Sequence, residues 1–385
     1  MKVLFITKSP FQDKNTGDLI YNYWLTKELS SFKNVKLDIF CGNSVDRSFN
    51  NLSKSLFKWL FSIYPISNLK AFSSKDLKVL IDKISTNNYE FIIFSELSSA
   101  LAAKKILELK NRKKIKSKII YMAHNFETNL RYQGALNQKN LFIKFALLID
   151  AFKSRKFENY LVNSSDIMTV ISEDDLNQFN SISKKIPKII LMPGYSEEKI
   201  LSRKIEPNLK NEAVIVGSFE WNVKKINLLE ILEAYTKYDT NFSLKVAGKF
   251  SDNFYLYVKN KYKNVNFQKN FLNLQDVLKD AKLAMIPERV GGGFKLKTLD
   301  YVFNRVPIIS FSNAIGSEYL ESDKDYISVD SMDEMVLKAD EIMNDSQRLN
   351  ALQNNAYERL ENDFNWNDRA KSLISFMDEN QWDYF

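Results

Sequence analysis

The segment "ERVGGGFKLKTLDYVFNRVPIIS", Glu288 to Ser310, sets three consecutive glycines before two lysines two residues apart, then an acid and an apolar run led by proline. The chain has only 10 glycines in 385 residues, so three together mark a place where the backbone turns tightly or approaches another group closely. Apolar runs flank the segment, "AKLAMIP" before it and "VPIIS" at its end. Such runs, separated by stretches of helical period, are the pattern of a parallel sheet covered on both faces.

Working outward, the same alternation continues. "EAVIVG", "FSLKVAG" and "VNFQ" precede the segment, with the helical stretches "VKKINLLEILEAYTKY" and "LQDVLKDA" among them. Further upstream an earlier series reads "KVLFIT", "VKLDIFCG", "YEFIIFSE", "KIIYMAH" and "SDIMTVIS", and "IPKIILMPGYSEEKILSRKIEPN" has the polar, proline-containing character of a linker. The expected architecture is α/β, with two doubly wound domains over residues 1–195 and 196–360. A helical segment at 361–385 is expected to pack back toward the first.

Composition narrows the function classes. Hydrophobic residues make up 45% of the chain, and 55 Lys and Arg against 47 Asp and Glu give a formal charge of +8. That excess fits a polyanionic ligand or an anionic membrane surface. Nucleic acid is not expected as a partner, because the aromatics are distributed as core residues and are not interleaved with the basic cluster. One cysteine, Cys41, and one histidine, His124, allow neither an intrachain disulfide framework nor a Cys/His metal site, so no metal and no cofactor is expected. "MKVLFITKSP" is too short an apolar run for a signal peptide and no stretch is long enough to span a membrane, which points to the cytoplasm.

Ligands of doubly wound sheets bind where strand ends lead into helix N-termini. In the second half that rule selects Gly291, Gly292 and Gly293, whose amides can face an anion, with Lys295 and Lys297 as full charges and Asp300 as an acceptor for vicinal ribose hydroxyls. A tight turn followed by a solvated helix face accounts for the same residues. In the first half, Gly17 and Asp18 follow "KVLFIT" and fit either an acceptor-binding loop or a plain helix start. "LSKSLFKWLFSIYPI" places Leu52, Leu56, Leu60 and Phe61 near one helical face, with Lys54, Lys58 and Trp59 around it, and "KKILELKNRKKIKSK" holds eight basic residues and one acid. Together they fit the surface of an anionic bilayer, or equally a buried helix beside a solvated charge run.

The order "VGSFEWN", "LKVAG", "VNFQKNF", "AKLAMIPERVGGGFKLKTLDYVFNRVPIISFSNAIGSEYL" resembles the C-terminal domain of GT-B glycosyltransferases close to family 4. "AHNFET" at 123–128 and "FENYLVNSSDIMTVISEDDLNQF" resemble segments of that family's first domain. The resemblance implies two Rossmann-like domains facing across a cleft, and transfer of a sugar from a nucleotide diphosphate to a glycan or lipid-linked acceptor. It further implies retention, and a place in bacterial surface polysaccharide or glycoconjugate synthesis. The donor would be a UDP- or GDP-sugar. Gly291 to Gly293 would face its diphosphate and sugar, Lys295, Lys297, Lys224 and Lys225 its phosphates, Asp300 its ribose, and Asn270 and Phe271 its base. His124 would contact the transferred sugar or the acceptor, with Glu127, Gly17 and Asp18 on the acceptor side. Two positions depart from the family pattern: its first paired acid falls on Gly292, and its phosphate-binding arginine on Ser218. A GT-B protein that binds glycans without catalysis is the alternative; a phosphorylase would need a lysine-bound pyridoxal site, for which no motif is present.

Overall fold

A computed structural model describes the chain except residues 9, 11–15, 43–58, 113, 139, 221, 290–294, 317–318 and 381–385. It divides into two compact units, one of Met1–Gly194 with Asn365–Phe385 and one of Tyr195–Phe364.

The first unit is built on a parallel sheet of six strands: β1 (Lys2–Thr7), β2 (Lys36–Cys41), β3 (Phe91–Ser95), β4 (Lys118–Met122), β5 (Ile167–Val170) and β6 (Lys188–Ile190). Their order is β2-β1-β3-β4-β5-β6. Side chains alternate across a strand, and here both sets are buried. Leu4, Ile6, Ile92, Phe94, Ile119 and Tyr121 join one core with the helix Leu101–Asn111. Val3, Phe5, Phe91, Ile93, Ile120 and Met122 join another, closed by the helices Gly17–Ser31 and Trp366–Glu379. Two-sided burial is why these strands read as unbroken apolar runs rather than alternating ones.

The second unit repeats the plan with β7 (Glu212–Phe219), β8 (Ser243–Phe250), β9 (Asn266–Lys269), β10 (Leu283–Ile286), β11 (Ile308–Phe311) and β12 (Ile327–Val329), ordered β12-β11-β10-β7-β8-β9. The α/β, doubly wound reading therefore holds for both halves. Two strands go beyond it: β6 lies inside the stretch read as a linker, and β12 was not singled out.

The stretch around Trp59 is described only from Trp59 onward. Leu52, Lys54, Leu56 and Lys58 lie outside the described residues. Trp59 is buried, its indole N–H donates to Asp150 Oδ1 at 2.8 Å, and the Lys153 ammonium stands 4.6 Å from its ring centroid. The basic stretch is also partly engaged within the fold, since Lys110 pairs with Asp166 and Lys118 donates to the Asn380 carbonyl at 2.6 Å.

Candidate functional site

In each sheet the strand order reverses once, between β1 and β3 in the first and between β7 and β10 in the second. A crevice opens outside the carboxyl ends of the strands at such a point, because the connections on its two sides run away from each other. In each unit a charged cluster stands at the ends of these strands.

In the second unit Glu288 follows β10 by two residues and is buried. Lys224, near the start of the helix Asn222–Lys237, places Nζ 3.0 Å from Glu288 Oε1, and Lys297, which opens the helix Lys297–Phe303, bonds the same oxygen. Lys297 Nζ also lies beside the end of β7, 3.7 Å from where a side chain on Gly217 would begin. Burial alone would raise the Glu288 carboxyl, but Lys297 and Lys224 outweigh it and hold it down at about 2. Burial pushes the Lys297 ammonium below its ordinary value, against the pull of Glu288. Two ammonium groups thus share one carboxylate, leaving a net positive charge with little water around it, and Glu288 Oε2 has no hydrogen-bond partner among the described residues. Asp300 stands one turn beyond Lys297. Burial and the Glu197 charge push its carboxyl up to about 7, with Lys297 opposing.

The backbone around this cluster is constrained. Gly248 has φ of +150°, and a Cβ there would fall 1.8 Å from the Gly217 carbonyl oxygen. Asn270 is left-handed at φ 54°, and its N–H donates to the Gly248 carbonyl at 2.9 Å. Asn270 is exposed beside half-buried Phe271. Ser218 Oγ is buried without a partner among the described residues. Lys295 is buried, whereas Lys225 faces away from Glu288, its ammonium 5.2 Å from the Phe254 ring centroid. Gly291, Gly292 and Gly293 lie outside the described residues.

In the first unit Lys8 follows β1, and its Nζ stands 2.7 Å from both Asp18 Oδ2 and Glu96 Oε2. Glu96 directly follows β3 and takes φ 69°, a left-handed conformation that costs a residue with a Cβ about 1 kcal/mol or more. Its Oε1 is buried with no partner among the described residues, and burial pushes the carboxyl up to about 7 against Lys8. Asp18, near the start of the helix that Gly17 opens, is held at about 2: burial would raise it, but Lys8 prevails.

His124 follows β4 and is buried, its ring centroid 4.7 Å from that of Tyr21. Asn22 Nδ2 donates to Thr7 Oγ1 at 3.3 Å, so Asn22 Oδ1 is the atom that accepts from Ser95 Oγ at 2.7 Å. His124 Nε2 lies 3.3 Å from Ser95 Oγ. Its Nδ1 is buried and without a partner among the described residues. Burial lowers the imidazole to about 4, so it is neutral at pH 7. Glu127 is engaged elsewhere: its carboxylate pairs with Arg131, and its N–H donates to Glu158 Oε1 at 2.8 Å.

Among the residues marked in the sequence, the structure gathers Lys224 and Lys297 beside Asp300, and Asp18 into a cluster near His124. It sets Lys225 and Glu127 on other partners. Lys8, Glu96 and Glu288 were not marked. All three lie within two residues of an apolar strand's carboxyl end, the one signal that could have found them.

Residues 210–345 match the family Glycosyl transferases group 1. That span covers most of the second unit. Among solved structures, sucrose-phosphate synthase from Thermosynechococcus elongatus superposes with a TM-score of 0.73 at 14% identity, over 98% of each chain. HepE from Anabaena, in complex with UDP and glucose, gives 0.67 at 10% identity over 98% of this chain and 100% of that one. A mutant of S. aureus TarM gives 0.59 at 13% identity over 78% of this chain, which spans 58% of that protein. Likeness at these identities establishes the fold, which is GT-B. A comparison with curated proteins finds no match by sequence.

Proposed function

Starting from a GT-B chain whose residues 210–345 match the family Glycosyl transferases group 1, we propose that the protein transfers a sugar from a nucleotide diphosphate to a hydroxyl of a glycan or lipid-linked acceptor, in bacterial surface polysaccharide or glycoconjugate synthesis. The observation that carries the reading is the Lys224–Glu288–Lys297 cluster at the reversal point of the second sheet. A diphosphate is the ligand such a cluster lacks: its oxygens would take the ammonium protons that a single carboxylate leaves unanswered. The same charges would stabilise the departing nucleoside diphosphate as the bond to the sugar anomeric carbon breaks.

Asp300 would accept from the ribose hydroxyls, and main-chain atoms at Asn270 and Phe271 would meet the base. In the first unit, His124 Nδ1 and Glu96 Oε1, both buried without a partner among the described residues, are suited to sugar hydroxyls. No carboxylate pair of the glycosidase kind is needed. With retention, an oxygen of the leaving phosphate takes the proton of the attacking acceptor hydroxyl on the same face of an oxocarbenium-like centre. UDP is the favoured nucleotide, because the HepE structures hold UDP or UDP-glucose on the same fold.

The test is isothermal titration with UDP-glucose and GDP-mannose against the wild-type chain and Lys297→Met. We expect one of the two donors to bind, and Lys297→Met to weaken it by about 2 kcal/mol, roughly thirtyfold, as befits a lost charge-assisted contact. Equal affinity in the variant would sink the assignment of the cluster. Donor binding without turnover of any acceptor would favour the catalytically silent glycan-binding alternative.

A further inference from the structure

The helix Leu141–Ser164 of the first unit carries an apolar face that stays in solvent. Leu141, Phe145 and Phe152 are 77%, 66% and 59% exposed, and Phe142 beside them is 90% exposed. With half-buried Leu148 they recur at i, i+4, i+7 and i+11, which at 100° per residue confines all four to an arc of about 60°. A second element with exposed apolar side chains is tied to the same helix. Lys153 Nζ donates to the carbonyls of Trp59 and Leu60, which ties the turn bearing exposed Leu60, Phe61 and Ile63 to this helix. Single exposed apolar residues are ordinary, but contiguous aromatic surface of this kind marks a partner.

The charges on the helix decide which partner. Its two acids are buried and turned inward: Asp150 binds the Trp59 indole and Arg131, and Glu158 accepts from the Glu127 and Thr128 amides. Among its described residues Lys144, Arg155 and Lys156 are left toward water, with the Lys156 ammonium 4.5 Å from the Phe152 ring centroid. A second copy of the chain would set these cations against their own kind, with no exposed acid on the helix to answer them. Apolar side chains edged only by cations complement lipid phosphates above acyl chains.

We propose that the helix Leu141–Ser164 docks the protein on an anionic lipid surface, with Leu141, Phe142, Phe145 and Phe152 entering the headgroup region and Lys144, Arg155 and Lys156 meeting lipid phosphates. The surface is distinct from the basic stretch at 104–118, and it stands apart from the reading of the donor site.

The experiment is flotation of the full-length chain with vesicles of mixed phosphatidylglycerol and phosphatidylcholine, and with phosphatidylcholine alone, across a salt series. Binding is expected on the anionic vesicles, weakening as salt rises. The double variant Phe145→Ser/Phe152→Ser should lower it at least about tenfold with an unchanged melting temperature, because side chains already in water contribute little to folding. Lys144→Glu/Lys156→Glu should lower it by repulsion. No flotation at low salt, equal flotation on neutral vesicles, or full binding by the serine variant would each overturn the proposal. So would a steep loss of melting temperature in the serine variant, which would mean the face is covered within the chain. Self-association that the serine variant abolishes, without flotation, would assign the face to a second copy instead.

Discussion

Asp300 is a carboxylate that its surroundings barely allow to ionise, and its proposed task requires the ionised form. Burial and Glu197 lift it to about 7, so the charge that would accept from ribose is present above that value and lost as pH falls through it. Affinity for a UDP-sugar, whose diphosphate diester does not itself titrate near neutrality, is expected to drop up to tenfold per pH unit on the acid side. Stability runs the other way. The folded carboxyl holds a proton between the ordinary carboxylate range and about 7, while the unfolded chain does not, so this group's contribution falls as pH rises through that window. Asp300→Asn should flatten both trends, with calorimetry reading the affinity and denaturant titration the stability. An affinity that does not change across neutrality would make the carboxylate structural. Asp300 and Lys297 were marked from the glycine and lysine segment that follows β10, and His124 from its place just after β4. Glu96 was not, since nothing local distinguishes it from any strand-end acid. Its partner Lys8 is 88 positions away, and only the β1–β3 pairing brings the two together.

At the scale of elements, the donor-side cluster depends on how closely β7 and β8 approach. Gly248 pairs with Gly217 in the register of the two strands, and a methyl group at 248 would sit 1.8 Å from the Gly217 carbonyl oxygen with φ at +150°. Gly248→Ala is therefore expected to cost about 2 kcal/mol or more. Because Gly217 lies beside Lys297, it should also weaken nucleotide binding. Gly217→Ala is the milder counterpart, since its new methyl would meet only the Phe219 ring at 3.2 Å and the Lys297 ammonium at 3.7 Å. Urea unfolding of both variants checks the order, and an alanine at 248 as stable as wild type would refute the close approach. The strands buried on both faces were legible as apolar runs, because most side chains on either side pack into a core. Of the four edge strands, β2 and β9 were legible and β6 and β12 were not. β6 and β12 have three residues each, too few to show a period. β6 also follows Pro187 in a stretch whose polar and proline content argued for a linker.

At the scale of the whole molecule, the chain leaves its first unit after Gly194 and returns to it at Asn365. The returning helix, Trp366–Glu379, is part of that unit's core: Trp366, Leu373, Ile374 and Met377 are buried among Tyr21, Leu25, Leu29 and one face of the first sheet. The Trp366 ring meets Tyr21 edge-on at 5.2 Å, and Gly194 lies so close that a methyl there would fall 2.6 Å from the indole. Four large side chains at about 1.5–3 kcal/mol each amount to roughly 6–12 kcal/mol, which is comparable to the whole stability of an ordinary domain. A chain ending at Phe364 should therefore lose the first unit while keeping the second, since the Lys224–Glu288–Lys297 cluster and all of β7 to β12 lie within Tyr195–Phe364. Hydrogen exchange should show β1, β3 and β4 exchanging freely in the truncated chain and β7, β8 and β10 still protected. The shortened chain should still bind the preferred nucleotide, with catalysis gone. Protection of β3 equal to that in the full chain would show that the last helix only decorates the first unit, and loss of protection in β7 would show that the second unit cannot stand without it.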